Sequence, residues 1–182
     1  MLAAVIVVVA VAVAIYLATR SSGGSGTPPS TVAGAPAHGF SITAAKDFDP
    51  VGTGGDGQED PAQVANIHDG DASTSWSTEM YVDFQRDKRG VGVWVQLDHV
   101  HAINSVAVTT VQSGWSGAIY VADQPGSQLA DWGPVRASGA NLGSAKTFVL
   151  HGVRGKYVLL WLTKLPGDVG NQRLQVSEVQ VG

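Results

Sequence analysis

Two kinds of patterning divide the chain. From Leu2 to Ala18 there is no charge and no polar side chain other than the Tyr16 hydroxyl. From Phe40 onward, apolar and polar positions alternate in short runs. In GVGVWVQLD, Val91, Val93, Val95 and Leu97 fall on one face and Gly92, Trp94, Gln96 and Asp98 on the other. That period of two predicts a half-buried strand. HAINSVAVTTV predicts a further strand after a short turn, and GAIYVAD, KTFVL, KYVLLWL and LQVSEVQV complete the series. KYVLLWL is apolar on both faces, which predicts a central, covered strand. PAQVANIHDG predicts one short helical turn after Pro61. Many short strands parted by Gly, Pro and Asp turns predict an all-β fold over residues 40–182, an antiparallel β-sandwich or jelly roll. In the last strand, Leu174 and Val176 share one phase and Val179 and Val181 the opposite one. The slip across Ser177 and Glu178 predicts either a bulge or a simple edge-strand adjustment.

The N-terminal apolar run of about 17 residues spans roughly 26 Å as a helix, near the lower limit for crossing a bilayer. Tyr16 and Arg20 follow where an aromatic ring and a long cation suit the headgroups. No Lys or Arg precedes the run, and no clear A-x-A follows it. Residues 1–20 are therefore expected to be a retained single-pass transmembrane anchor rather than a cleaved signal peptide. The missing basic flank is compatible with further chain upstream. Residues 21–39 are rich in Gly, Ser, Pro and Ala and predict a flexible stalk.

Charge and cysteine narrow the function. Lys+Arg total 11 against Asp+Glu 15, a net charge of -4, which excludes a nucleic-acid partner needing a basic face. The absence of cysteine excludes a disulfide scaffold and a Cys-ligated zinc site. The acids are unevenly spread. Asp47, Asp49, Asp56, Glu59, Asp60, Asp69 and Asp71 lie in one span without a Lys or Arg. Such a span is either solvated or neutralised by a cation. DFDPVGTGGDGQ is not an EF-hand loop, because Val51 stands where a side-chain oxygen ligand is required and Gln58 where a glutamate is needed. NIHDGDASTSW is more specific. Asp69, Gly70 and Asp71 make a tight turn, Thr74 can point into it, and Trp76 can bury its ring beneath. The turn is either an oxygen-lined cation site or an Asx-turn capped by Thr74. His99 and His101 can place two imidazoles on one side, without an evident third ligand. No G-x-S-x-G motif is present, and catalysis is not expected.

DGDASTSW, GVGVWVQLD, HAINSVAV and VSEVQVG, in that order, resemble the discoidin, or coagulation-factor C-type, galactose-binding-like family. The resemblance covers nearly all of residues 40–182. It implies a jelly-roll β-sandwich that binds without catalysing. It also implies a structural calcium held by Asp69, Asp71, Thr74 and Glu178, with a backbone carbonyl near Asn66. DFDPVGTGGDGQED, the DGDASTSW stretch and GKYVLLWLTKLP further resemble the extracytoplasmic ends of actinobacterial kinase-like membrane proteins and the lipid II flippase. Kinase motifs are absent from this chain.

In the family, ligands dock at loops on one end of the sandwich. Tyr81, Trp115 and Trp132, each in a turn-like setting, are candidate stacking rings, with Arg136 as a polar partner and Glu79, Gln112 and Asn171 beside them. Alternatively these rings cover the ends of the core. The expected function is a membrane-anchored, extracytoplasmic, non-catalytic module for a cell-wall glycan or peptidoglycan-related ligand. The alternative is a protein-interaction or sensor ectodomain.

Overall fold

The alternation of side chains sets seven strands among residues 39–182, which are those the computed structural model describes. The predicted anchor at 1–20 lies outside the described residues, as does the stalk at 21–39 apart from Gly39. The strands are β1 (Ile42–Phe48), β2 (Trp76–Ser77), β3 (Val91–Thr110), β4 (Trp115–Ala122), β5 (Ala137–Leu142), β6 (Ala145–Lys164) and β7 (Gln175–Val181). A 3-10 helix spans Pro61–His68, a short helix α1 spans Phe84–Asp87, and a 3-10 turn spans Leu129–Trp132. Among the described residues no helix is long and apolar enough to cross a membrane.

All pairings between named strands are antiparallel, and two long strands organise them. The first half of β3 pairs with β1 on one side and the second half of β6 on the other, and β4 and β5 extend that layer. The second half of β3 pairs with the first half of β6 and with β7, and β2 closes that layer. HAINSVAV and KTFVL, predicted as separate strands, are thus halves of β3 and β6. The two long strands continue through irregular corners. Their register shifts between Gln96 and His101 and again between Ile103 and Ser105. On β6 the corner carries His151 at φ 57° and Gly152 at φ 79°. Bulges bend a strand without ending its pairing, which is why a turn-like sequence still runs as strand here.

The core lies between the layers. Val91, Val93, Val95 and Leu97 are all buried, as the alternation predicts, and meet Ile103, Val106, Phe148, Val176, Val179 and Val181. KYVLLWL is central and covered on both faces. Val158, Leu160 and Leu162 face the sandwich interior, while Leu159 and Trp161 join a second cluster with Phe48, Tyr120 and Trp132. The expected irregularity in the last strand is a bulge. Thr109 pairs with Glu178 and Thr110 with Val176, so Ser177 is the extra residue. Its hydroxyl donates to the Thr109 carbonyl at 3.3 Å, and Glu178 is turned to the outside of its layer.

Candidate functional site

The acidic stretch after β1 folds inward. Of its five acids, Asp47, Asp49 and Glu59 are buried. Buried carboxylates must be hydrogen-bonded or paired. Asp47 Oδ2 accepts the Glu59 backbone N–H at 2.7 Å. Asp49 accepts Lys88 Nζ on both oxygens at 2.8 Å and the Asp56 N–H at 2.9 Å. Glu59 accepts the Glu79 N–H at 2.7 Å and the Tyr81 hydroxyl at 2.6 Å, while its own carbonyl accepts the Trp76 indole N–H at 2.7 Å. Of the two readings of this stretch, solvated or neutralised, Asp49 follows the second, while Asp56 stays exposed. The cation that the stretch lacks comes from Lys88, beyond α1. Gly55 is required where it is, because a side chain there would run into the Asp49 carboxylate. Burial, first of all, pushes the Glu59 carboxyl up to about 7. Burial and the bond to Glu59 drive the Tyr81 hydroxyl far above the usual phenol range.

Over this buried layer opens a cleft of about 410 Å³. Its floor is the end of β1, and its walls are the loop after β1 and residues 125–128. Lys46 on β1 pairs in register with Trp94 on β3, and both line the cleft. Trp94 is half-buried and rests edge-on against Tyr157, with ring centroids 5.6 Å apart. Ser127 and Gln128 supply exposed polar groups to the same cleft. A partly exposed ring facing amide, hydroxyl and ammonium groups can stack on one face of a polar ring ligand and hydrogen-bond its edge. Trp94 was not singled out from the sequence, although the alternation already puts it on the outward face of β3.

The rings expected to stack are elsewhere. Trp115 and Trp132 are 0% and 1% exposed, and Tyr81 is 7% exposed. Trp115 sits in the sandwich core with its N–H on the Gly143 carbonyl at 3.0 Å. Trp132 is edge-on to Phe48 in the outer cluster. Tyr81 is committed to Glu59, beneath the Lys88 ammonium at 5.5 Å. The expectation of a platform at Tyr81, Trp115 and Trp132 is corrected: these rings cover the core. Arg136 is exposed and is not brought to the cleft wall.

The 66–74 segment closes on itself. Asp69 Oδ1 accepts the Asp71 N–H at 2.8 Å, and Asp71 Oδ1 accepts the Ser73 N–H and hydroxyl at 2.9 and 2.7 Å. The Thr74 hydroxyl lies 2.8 Å from Asp69 Oδ2 and 3.0 Å from the Asp71 carbonyl. Asn66 donates to the Ser75 carbonyl at 2.9 Å. Gly70 takes φ 81°, open to glycine without strain. Trp76 is fully buried below. The bonds from Ser73 hold the Asp71 carboxyl below the usual range. The bulge on β7 brings Glu178 to this turn, where it shares a shallow cleft with His68 and Gly70. Glu178 Oε1 is buried without a hydrogen-bond partner. Burial pushes its carboxyl up, with the Gly70 N–H opposing and Asp69 and Asp71 adding to the rise. These are hard oxygen donors, and the orphaned Oε1 is an atom that a calcium ion would satisfy, so the residues fit. Among the described residues the three carboxylates do not close to within 4.8 Å of one another, so hydroxyl and carbonyl oxygens would have to share the coordination.

No protein-family model matches the chain. Solved structures do. The family-32 carbohydrate-binding module of AlyQ, in complex with 4,5-unsaturated mannuronic acid, aligns at TM-score 0.57 and 16% identity over 79% of this chain and 97% of its own. A chitosan-binding module from a chitosanase/glucanase of Paenibacillus sp. IK-5 aligns at 0.56 and 18%, over 76% and 93%. A pectin-binding carbohydrate-binding module aligns at 0.54 and 18%, over 79% and 91%. At these identities the likeness is one of fold, an all-β antiparallel sandwich shared with these carbohydrate-binding modules.

Proposed function

We propose that residues 40–182 form a non-catalytic glycan-binding module, held by the N-terminal segment at the outer face of a membrane. The observation that carries this reading is the cleft that half-buried Trp94 lines together with Lys46, Ser127 and Gln128. Structures sharing the fold are named for binding chitosan and pectin, which supports a sugar as the ligand class. Together with the predicted anchor, a cell-wall or peptidoglycan-related glycan is the ligand that fits the proposed location. A calcium ion at Asp69, Asp71, Thr74 and Glu178, near Asn66, would supply structural charge and fix the turn against β7. Glu59 is not placed to act on a ligand. The carboxyl driven to about 7 is 0% exposed and sealed behind Tyr81, out of reach of a substrate. A glycan array spanning wall fragments and neutral and uronic-acid polysaccharides, probed with the full chain, tests the proposal. Saturable binding weakened by Trp94→Ala supports it. Absence of glycan binding, with capture of a defined extracytoplasmic protein in its place, supports an interaction or sensor ectodomain such as those at the ends of kinase-like and flippase-like membrane proteins.

A further inference from the structure

At the corner where β3 passes from one layer to the other, three metal-ligating side chains meet. The backbone there leaves its pairing with β6 between Gln96 and His101, while Leu97 still pairs with Ile42 of β1. The Asp98 N–H is fixed on the Ser41 carbonyl at 3.1 Å. His99 Nδ1 lies 2.9 Å from Asp98 Oδ2, and His101 Nε2 lies 2.7 Å from Asp98 Oδ1. The imidazole rings stand 3.8 Å apart, centroid to centroid. His101 is held in place on its other side by Phe40, stacked at 3.9 Å and 21°. Among the described residues this is the one group of three His, Asp or Glu side chains whose ligand atoms all lie within 4.8 Å. Asp98, at the same corner of β3, thus supplies the third ligand that the His-x-His spacing lacks.

We propose that Asp98, His99 and His101 form a surface site for a late first-row divalent cation, separate from the turn at 66–74. Two imidazoles and one carboxylate suit zinc, cobalt, nickel or copper, whereas calcium and magnesium demand mostly oxygen. Each facing imidazole nitrogen now sits 2.7–2.9 Å from a carboxylate oxygen, a hydrogen-bond distance shorter than the roughly 3.3 Å that tetrahedral bonds of about 2.0 Å impose, so the ion replaces these contacts and the carboxylate draws back slightly. Binding requires the facing nitrogens, His99 Nδ1 and His101 Nε2, to be unprotonated, with each neutral ring carrying its proton on the far nitrogen. Three protein ligands leave a position open to water or to a group from a partner. His99 and Asp98 keep 68% and 40% of their side chains exposed, so an ion can enter without unfolding.

The test is calorimetric titration of the full chain, without a polyhistidine tag, with zinc chloride, and with cobalt chloride read by visible absorption. Saturable uptake of one zinc ion per chain is expected, together with the ligand-field bands of low-coordinate cobalt. His99→Ala and Asp98→Asn are each expected to weaken uptake about tenfold or more, while Asp123→Asn, at an exposed residue outside this group, leaves it unchanged. His99 makes little packing contact, and circular dichroism of His99→Ala confirms that any loss is local. Non-saturable uptake by the wild type, or equal uptake by wild type, His99→Ala and Asp98→Asn, overturns the proposal.

Discussion

Replacing Glu59 by Gln should remove most of the chain's loss of stability between weakly acidic and neutral pH. Glu59 is fully buried, and its carboxyl is raised from 4.5 to about 7, chiefly by burial. The folded chain then holds this proton more tightly than the unfolded chain does. The resulting stabilisation is fully present below pH 4.5 and is lost as pH rises to about 7. At 1.36 kcal/mol per pKa unit the loss is about 3 kcal/mol, an upper figure, equivalent to roughly 10 °C in melting temperature for a domain of this size. Gln mimics the protonated acid. Its carbonyl can keep the Glu79 N–H, and its amide can donate to the Tyr81 oxygen once that hydroxyl turns. Urea unfolding from pH 4 to 8 should show near-equal stability of the two proteins at pH 4.5. At pH 8 the variant should be more stable by up to about 3 kcal/mol. Glu79 and Glu178 are also raised, so only the difference between the two proteins isolates Glu59. Below pH 4 both proteins should weaken together. There Asp71, Asp87, Asp98 and Asp131, all held below the usual range, lose stability as they take up protons. Parallel curves between pH 4.5 and 7, or a variant weaker at pH 8 than at 4.5 relative to wild type, would refute the assignment.

Other substitutions probe the same layer and its neighbours. Lys88→Ala strands the fully buried Asp49 carboxylate and should cost about 3–5 kcal/mol in urea unfolding, with much of that recovered by adding Asp49→Asn. Gly55→Ala forces the loop away from Asp49 and should lower stability by about 1–3 kcal/mol and broaden backbone amide exchange across residues 49–57. Calcium at a hundred times its dissociation constant should stabilise the chain by about 2.7 kcal/mol, and Glu178→Gln or Asp71→Ala should abolish that thermal shift. An unshifted melting curve in millimolar calcium would leave the 66–74 turn as an Asx-turn alone.

The sandwich was legible because its signal is periodic. Val91 to Leu97 and KYVLLWL declare which faces are covered, and even the Ser177 bulge appears as a phase slip. The corners in β3 and β6 were not, since a bulge and a turn use the same residues, here His99 to His101 and His151 with Gly152. The candidate site was legible only in part. Asp69, Asp71 and Thr74 are local, so their spacing shows the turn, and the bulge hinted at Glu178. The partners of Asp49 and Glu59 are not local: Lys88 and Tyr81 arrive from beyond β2, and nothing in an acidic run announces them. Large aromatics in turn-like sequence read as exposed, yet Trp115 opens β4 inside the sandwich core and Trp132 packs in the outer cluster with Phe48. Trp94, in a strand, was passed over although its phase opposes the buried valines.

The central claim is that the cleft at Trp94 binds sugar. Isothermal titration of the full chain and its Trp94→Ala variant with the strongest ligand from the glycan array tests it most directly. Loss of one stacking ring should weaken binding by about 1–3 kcal/mol, roughly five- to 150-fold, in a variant that stays folded although it gives up the edge-on contact with Tyr157. Equal affinity in the two proteins, both folded, would contradict the assignment of the cleft.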